Sequence, residues 1–342
     1  MSDMIGIEDL RPGDILLHRG VSFVSRGIQF FDGSPVSHAS LYLGEGRIGE
    51  AAAKGLVEND YHDSFHGNEW VKAYRLVGAP ADISPVLQVA RRYLDQGNRY
   101  GFEQIFVLAL LCTTRQVKIT PVLRRLLRTL LDAAATALTA LFRAGKEPMI
   151  CSEFVYRVYD EVEAPDPAAY AIKIPGMLPL PQDAPAHPAS MTLAAGDTAP
   201  EGRVVHPESL AALFGAAASD ARLARPAAPM ALAAPEAKPP SARALNRHLK
   251  TYLQDMEEGE TVARRQTVSL EELGAATDRF VGALYQAKVS PAPSGALAAA
   301  PPDAGEVRSA AYQYLFRAAA DFVTPRDLGV TPSLFLLGRV KT

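Results

Sequence analysis

Cys151 stands between the apolar approach Pro148-Met149-Ile150 and the run Ser152-Glu153-Phe154-Val155-Tyr156-Arg157-Val158-Tyr159. Phe154, Val155 and Val158 recur at helical spacing, which predicts a helix with Cys151 on or just inside its first turn. Unpaired backbone N–H groups and the helix dipole favour a thiolate there. Such a sulfur attacks a carbonyl when the chain supplies a base and a group that orients the base. The segment Ser37-His38-Ala39-Ser40-Leu41-Tyr42-Leu43 offers the base. It alternates as a strand, with Ala39, Leu41 and Leu43 facing the core. His38, Ser40 and Tyr42 then face a cleft or the surface.

A three-residue loop, Gly44-Glu45-Gly46, would pair Leu43 with Arg47 and Ser40 with Glu50. Glu50 then lies on the His38 face, one diagonal step away, at roughly 7–8 Å. A carboxylate on one ring nitrogen fixes the tautomer and leaves the other to take the Cys151 proton. The assignment depends on register, because a loop of two or four residues puts Glu50 on the opposite face. Ser40 and Tyr42 are the candidate substrate contacts; the competing reading of Tyr42 is an ordinary strand aromatic. Among rival groups, His18 beside Arg19 reads as a surface or loop residue. His62 and His66 lie in an irregular polar stretch and are further candidates for substrate contact. Cys112, after Phe106-Val107-Leu108-Ala109-Leu110-Leu111, reads as core. Asp14 follows Pro12-Gly13 and reads as a structural partner for turn amides.

The elements that must position these groups are visible as patterns. Residues 8–77 read as β-rich, with strands at 14–18, 37–43, 47–53 and 70–76. Helices are expected at 82–96, 102–114 and 121–143, ahead of the Cys151 helix. Beyond residue 161, stretches 161–203 and 219–243 are rich in Pro and Ala and read as loops or linkers. Helices are expected near 206–217, 244–258, 269–288 and 306–322, with Ser269 and Glu272 at capping-box spacing. The run Leu334-Phe335-Leu336-Leu337-Gly338-Arg339-Val340 reads as a terminal strand returning to the core. Three parts follow: residues 1–160 with a basic helical segment at about 115–146, an insertion at 161–322, and a C-terminal segment at 323–342.

With 48% hydrophobic and 21% charged residues and a net charge of -3, the 342-residue chain is globular. It exerts no global pull on nucleic acid. Locally, segment 115–146 carries Arg115, Lys118, Arg124, Arg125, Arg128, Arg143 and Lys146 against Asp132, with a leucine stripe at helical spacing. It is either a basic amphipathic helix for an anionic membrane surface, through Arg124, Arg125 and Arg128, or a packing element with a solvated face. Two cysteines make no disulfide framework and fit a reducing compartment or a catalytic thiol. No CxxC or HExxH occurs, so no metal is expected. The first residues show no secretory signal, which predicts a cytoplasmic protein or export by a signal-independent route.

Gly13-Asp14-Ile15-Leu16-Leu17, Ser37 to Gly44, Glu50-Ala51 and Cys151-Ser152-Glu153-Phe154-Val155 together resemble the circularly permuted papain-like cysteine hydrolases related to NlpC-type amidases. Lecithin:retinol acyltransferase-like enzymes share the arrangement. In that family a strand histidine precedes the cysteine, a polar residue follows on the next strand, and the cysteine starts a helix. The resemblance implies an α+β fold, an antiparallel sheet packed on helices, with Cys151 as nucleophile, His38 as base and Glu50 as third member. It implies no cofactor. Thr324-Pro325-Arg326-Asp327-Leu328 looks like the family's last segment, which makes the Pro/Ala-rich region an insertion. The match covers roughly residues 8–77, 147–160 and 323–342, and it leaves the substrate open. The candidates are a peptide amide, cell-wall peptide included, or the acyl group of a lipid or acylated protein. A non-catalytic binding module on the same shell is the third reading.

Overall fold

A computed structural model of the chain describes residues 4–52, 55–96, 99–100, 103–115, 121–145, 147–174, 209–219, 250, 268–289, 304–317 and 322–341. Its helices are α1 Phe23–Asp32, α2 Tyr61–Phe65, α3 Ser84–Gln96, α4 Glu103–Thr114 and α5 Pro121–Arg143. They continue with α6 Cys151–Asp160, α7 Leu210–Ser219, α8 Leu270–Val289, α9 Ala304–Arg317 and α10 Pro325–Val330. The chain divides into two compact units. One comprises Met1–Leu108, Pro148–Pro175 and Ala320–Thr342; the other comprises Ala109–Glu147 and Gly176–Ala319. The basic segment expected in the core part therefore groups with the insertion.

The first unit is α+β. Strands β1 Met4–Ile5, β2 Ile15–Gly20, β3 His38–Gly44, β4 Arg47–Ala52, β5 Gly55–Asp60, β6 Asn68–Leu76 and β7 Leu334–Val340 form one sheet. Their order is β1-β7-β6-β2-β3-β4-β5. The neighbours are antiparallel except β1 and β7. The closing apolar run thus enters the sheet between β1 and β6.

The β3–β4 hairpin corrects one expectation and reaches the same end. Gly44, not Leu43, stands opposite Arg47, so the turn holds only Glu45 and Gly46. Both have positive φ, 52° and 72°, the pair that matches the twist of a two-residue hairpin. Such a turn alone would send Glu50 to the wrong face. The register shifts between Tyr42 and Gly44, leaving Leu43 as a bulge, and Leu41 then faces Gly49. Ser40 and Glu50 follow as the next opposed positions, as the sequence pattern requires.

Both faces of the sheet are covered. Leu10, Leu16, Tyr42, Ile48, Phe65, Val71, Ala73 and Val340 pack together on one. Ile15, Leu17, Ala39, Leu41 and Ala51 are buried on the other. The half-open face expected for β3 is therefore closed, because α2 and the N-terminal segment lie over it. Asp14 caps the entrance to β2: its carboxylate accepts from the Arg11 N–H at 2.7 Å and from Arg75 Nε and Nη2, each at 2.7 Å.

In the second unit, α5 packs along α8, and α9 packs on α7 and α8. Leu123, Leu126, Leu127, Leu130 and Leu131 are buried in that packing unit. Arg279 donates twice to Asp132, at 2.9 and 2.6 Å, while Asp278 accepts from Arg308 and Tyr312. The Ser269–Glu272 capping box opens α8. The helix expected at 244–258 and most of the Pro/Ala stretches lie outside the described residues.

Replacing Arg75 by Met strands the buried Asp14 carboxylate, and urea unfolding should show a loss of about 3–5 kcal/mol. The double variant with Asp14→Asn should recover part of that loss. Equal stability of Arg75→Met and the parent would show that the pair holds nothing.

Candidate active site

His38 opens β3, and Glu50 lies in the middle of β4. His38 Nε2 is 2.8 Å from Glu50 Oε2. The Glu50 side chain is 7% exposed and that of His38 19%. Two more donors reach the carboxylate: Asn59 Nδ2 on Oε1 at 2.7 Å, from β5, and Ser64 Oγ on Oε2 at 3.1 Å, from α2. Burial pushes the Glu50 carboxyl up. The His38 hydrogen bond, the His38 and His18 charges and the Asn59 amide together outweigh it and hold the pKa at about 2. An ionised carboxylate only accepts, so His38 donates from Nε2–H, and the neutral ring carries its basic lone pair on Nδ1.

His18 is not a surface residue. β2 lies between β6 and β3 inside the sheet, and His18 stands opposite His38, fully buried. Its Nε2 is 2.8 Å from Ser40 Oγ. Its ring meets His38 edge-on at 4.9 Å and Phe65 at 5.8 Å. Burial first, then the His38 charge, push its pKa down to about 3 against the pull of Glu50. His18 is therefore neutral at ordinary pH.

Ser40 and Tyr42, the candidate substrate contacts, point into packed structure. Ser40 is buried against His18, and Tyr42 joins the apolar cluster while its hydroxyl accepts from the Gly46 N–H at 3.2 Å. His62 and His66 line a half-open pocket of about 280 Å³ with Tyr61, Phe65, Gly67 and Asn68. Cys112 is buried in α4, where burial pushes its thiol well up, as suits a core residue.

Cys151 is the first residue of α6, preceded by an extended Ile150. The helix packs against β3 and β4, the strands that carry His38 and Glu50. Cys151 and Ser152 are fully buried. Ser152 Oγ donates to the Val323 carbonyl at 2.6 Å, which ties the start of α6 to the C-terminal segment. Glu153 Oε2 accepts from the Ile150 N–H at 3.4 Å, and its Oε1 accepts from Arg157 Nε at 2.9 Å.

Two members of this network, Asn59 and Ser64, are absent from the sequence reading, and His18 was read there as a surface or loop residue. Asn59 and Ser64 needed β5 and α2, which lack a clear period. The signal for His18 was its place in Ile15-Leu16-Leu17-His18, a run too apolar for a rim.

No family model matches the chain. Over 150 residues, 43% of its length, the chain is 26% identical to the probable lipoprotein peptidase YaeF of Escherichia coli (strain K12). The match spans about half of that relative, 54% of its length. A probable peptidase is thus among the proteins this chain resembles.

His18 and Glu50 both contribute to the acid behaviour. His18 falls from its ordinary 6.5 to about 3, so below 6.5 the unfolded chain binds a proton that the folded chain refuses. Stability is then lost as pH falls through that window, by up to about 1.4 kcal/mol per unit. Glu50 adds to the loss lower down, as pH falls from its ordinary 4.5 toward 2. Urea midpoints between about pH 6 and 4 should fall less steeply in His18→Phe than in the parent. Identical slopes would show that His18 is not held neutral.

Proposed function

We propose that this protein is a cysteine hydrolase of the permuted papain-like kind that cleaves an amide bond in peptide material. Cys151 is the nucleophile, His38 the base and Glu50 its orienter. The observation that carries the reading is the His38–Glu50 hydrogen bond on two adjacent strands, with the helix that starts at Cys151 packed against both. His38 Nδ1 takes the thiol proton, and the thiolate adds to the substrate carbonyl. Backbone N–H groups at the start of α6 receive the oxyanion. His38 returns the proton to the departing amine, leaving a thioester on Cys151. Water, deprotonated by the same ring, then releases the acid and restores the thiol. Because Cys151 is buried, a substrate carbonyl reaches it only when the packing over this first turn opens.

Amide cleavage is favoured by the similarity to a probable peptidase. The alternative, acyl transfer or deacylation on lipids or acylated proteins, drew its support from α5 as a membrane helix. The leucine stripe of α5 is buried, and Arg128 pairs with Glu272 and Asp132. Contact with an anionic membrane is thus left to the basic face of Arg124, Arg125 and Arg128. Binding to anionic vesicles that charge reversal at these three abolishes would revive the lipid reading.

Cys151→Ala should abolish turnover with the fold intact by circular dichroism. His38→Ala should lower turnover by about 10²–10⁴-fold, and Glu50→Gln should lower it less. Incubation with peptide and acyl-lipid pools, followed by intact-mass measurement, should show an acyl adduct on Cys151 from the peptide pool. Full turnover by Cys151→Ala would refute the mechanism, and a thiol inert to chloromethyl ketones would indicate a binding module instead.

A further inference from the structure

His18 and His38 are directly opposed in the β2–β3 ladder, so their side chains leave the same face of the sheet. The rings meet edge-on, with centroids 4.9 Å apart and planes at 66°. His38 reaches partly into solvent, whereas His18 is wholly buried behind it. Ser40 Oγ, two residues along β3 from His38, holds His18 Nε2 at 2.8 Å. Phe65 stands edge-on to the same ring at 5.8 Å. His18 Nδ1 is buried with no hydrogen-bond partner among the described residues. A buried N–H without an acceptor is rarer and costlier than an unused lone pair, so the ring proton sits on Nε2 and is donated to Ser40. Helix α2 secures both halves, since Phe65 backs His18 while the neighbouring Ser64 donates to Glu50.

We propose that His18 is a positioning residue for the base: a neutral ring, clamped by Ser40 and Phe65, that holds the His38 imidazole on Glu50 and leaves the positive charge to His38 alone. The proposal rests on the reading of His38 as the base for Cys151 and adds a residue that acts through it. A plain phenyl ring would fill the same space but leave the buried Ser40 hydroxyl unpaired. Histidine supplies the ring and the donor together. A second cation at this position would oppose the imidazolium that forms when the thiol proton moves, and would return the proton to sulfur. Among the described residues, the titratable groups that act on His18 are His38 and Glu50; burial and His38 disfavour its charged form, and Glu50 opposes them.

The test is the rate of Cys151 alkylation by iodoacetamide, read by peptide mass spectrometry from about pH 5 to 9, beside ¹⁵N spectra of the histidine rings. The parent should react well below the free-thiol midpoint of about 8.5, and His38→Ala should lose that low-pH limb. His18→Ala should slow alkylation near pH 6 by about fivefold or more, with the limb moved upward and the His38 ring averaging between tautomers. His18→Gln carries the same expectation and serves if the Ala variant does not fold. His18→Phe should stay within about twofold of the parent, because an uncharged ring still backs His38. A purely structural role would lower Tm and leave the limb in place. An unmoved limb with a single His38 tautomer in His18→Ala or His18→Gln would overturn the proposal, as would His18→Phe as impaired as those two. If His38→Ala keeps the limb, the reading of the base fails by itself, and the ring spectra then decide the role of His18.

Discussion

The Glu50 carboxylate has lost almost all of its water, and an ion in that state persists only where donors replace the hydration. His38, Asn59 and Ser64 do so, and each comes from a different element: β3, β5 and α2. The ion therefore dictates more than its own surroundings. It requires β4 to be interior, flanked by β3 on one side and β5 on the other. It requires α2 to lie close over this face. It also selects the His38 tautomer, because a carboxylate that only accepts obliges the facing nitrogen to carry the proton. The second histidine follows from the same constraint, since burial and the neighbouring His38 both disfavour a charge on His18.

A second tie joins distant parts of the chain. β7, from the far end of the sequence, pairs with β6 and with β1. The Val323 carbonyl just before α10 accepts from Ser152, the residue after the cysteine. Thr324 and Asp327 then close a capping box that fixes where α10 begins. The start of the cysteine helix is thus held by the segment that completes the sheet.

Local periodicity carried the sequence reading where a pattern was local, and failed where burial depended on neighbours. Glu50 reached its expected face through a turn other than the expected one, whereas the Cys151 helix and the alternation of β3 were legible from spacing alone. The turn was not, because a bulge at Leu43 and a two-residue turn give the same downstream register as a three-residue loop. Helix α1 went unread although Ser22 caps it, accepting from the Ser25 N–H, and Gly33 ends it at φ 61°. The burial of His18 was illegible because it follows from β2 lying between β6 and β3, a property of sheet order and not of the segment. The burial of Tyr42 has the same origin: its face is covered by Leu10 and Phe65, which no alternation within β3 can reveal.

The first unit is interrupted twice, by Ala109–Glu147 and by Gly176–Ala319, and α6 is in the stretch between the interruptions. Contacts from the first unit hold it at both ends and in the middle. Ser152 holds its first turn through the Val323 carbonyl. Phe154 meets Tyr93 of α3 edge-on at 6.3 Å. At the far end, the Tyr159 hydroxyl donates to the Gly13 carbonyl, and Tyr93 donates to Glu161 at 2.6 Å. Each of these partners belongs to the first unit. Loop-closure cost grows only slowly with the length of an inserted segment. A helix held at both ends and the middle by its own sheet and helices thus tolerates long insertions on either side.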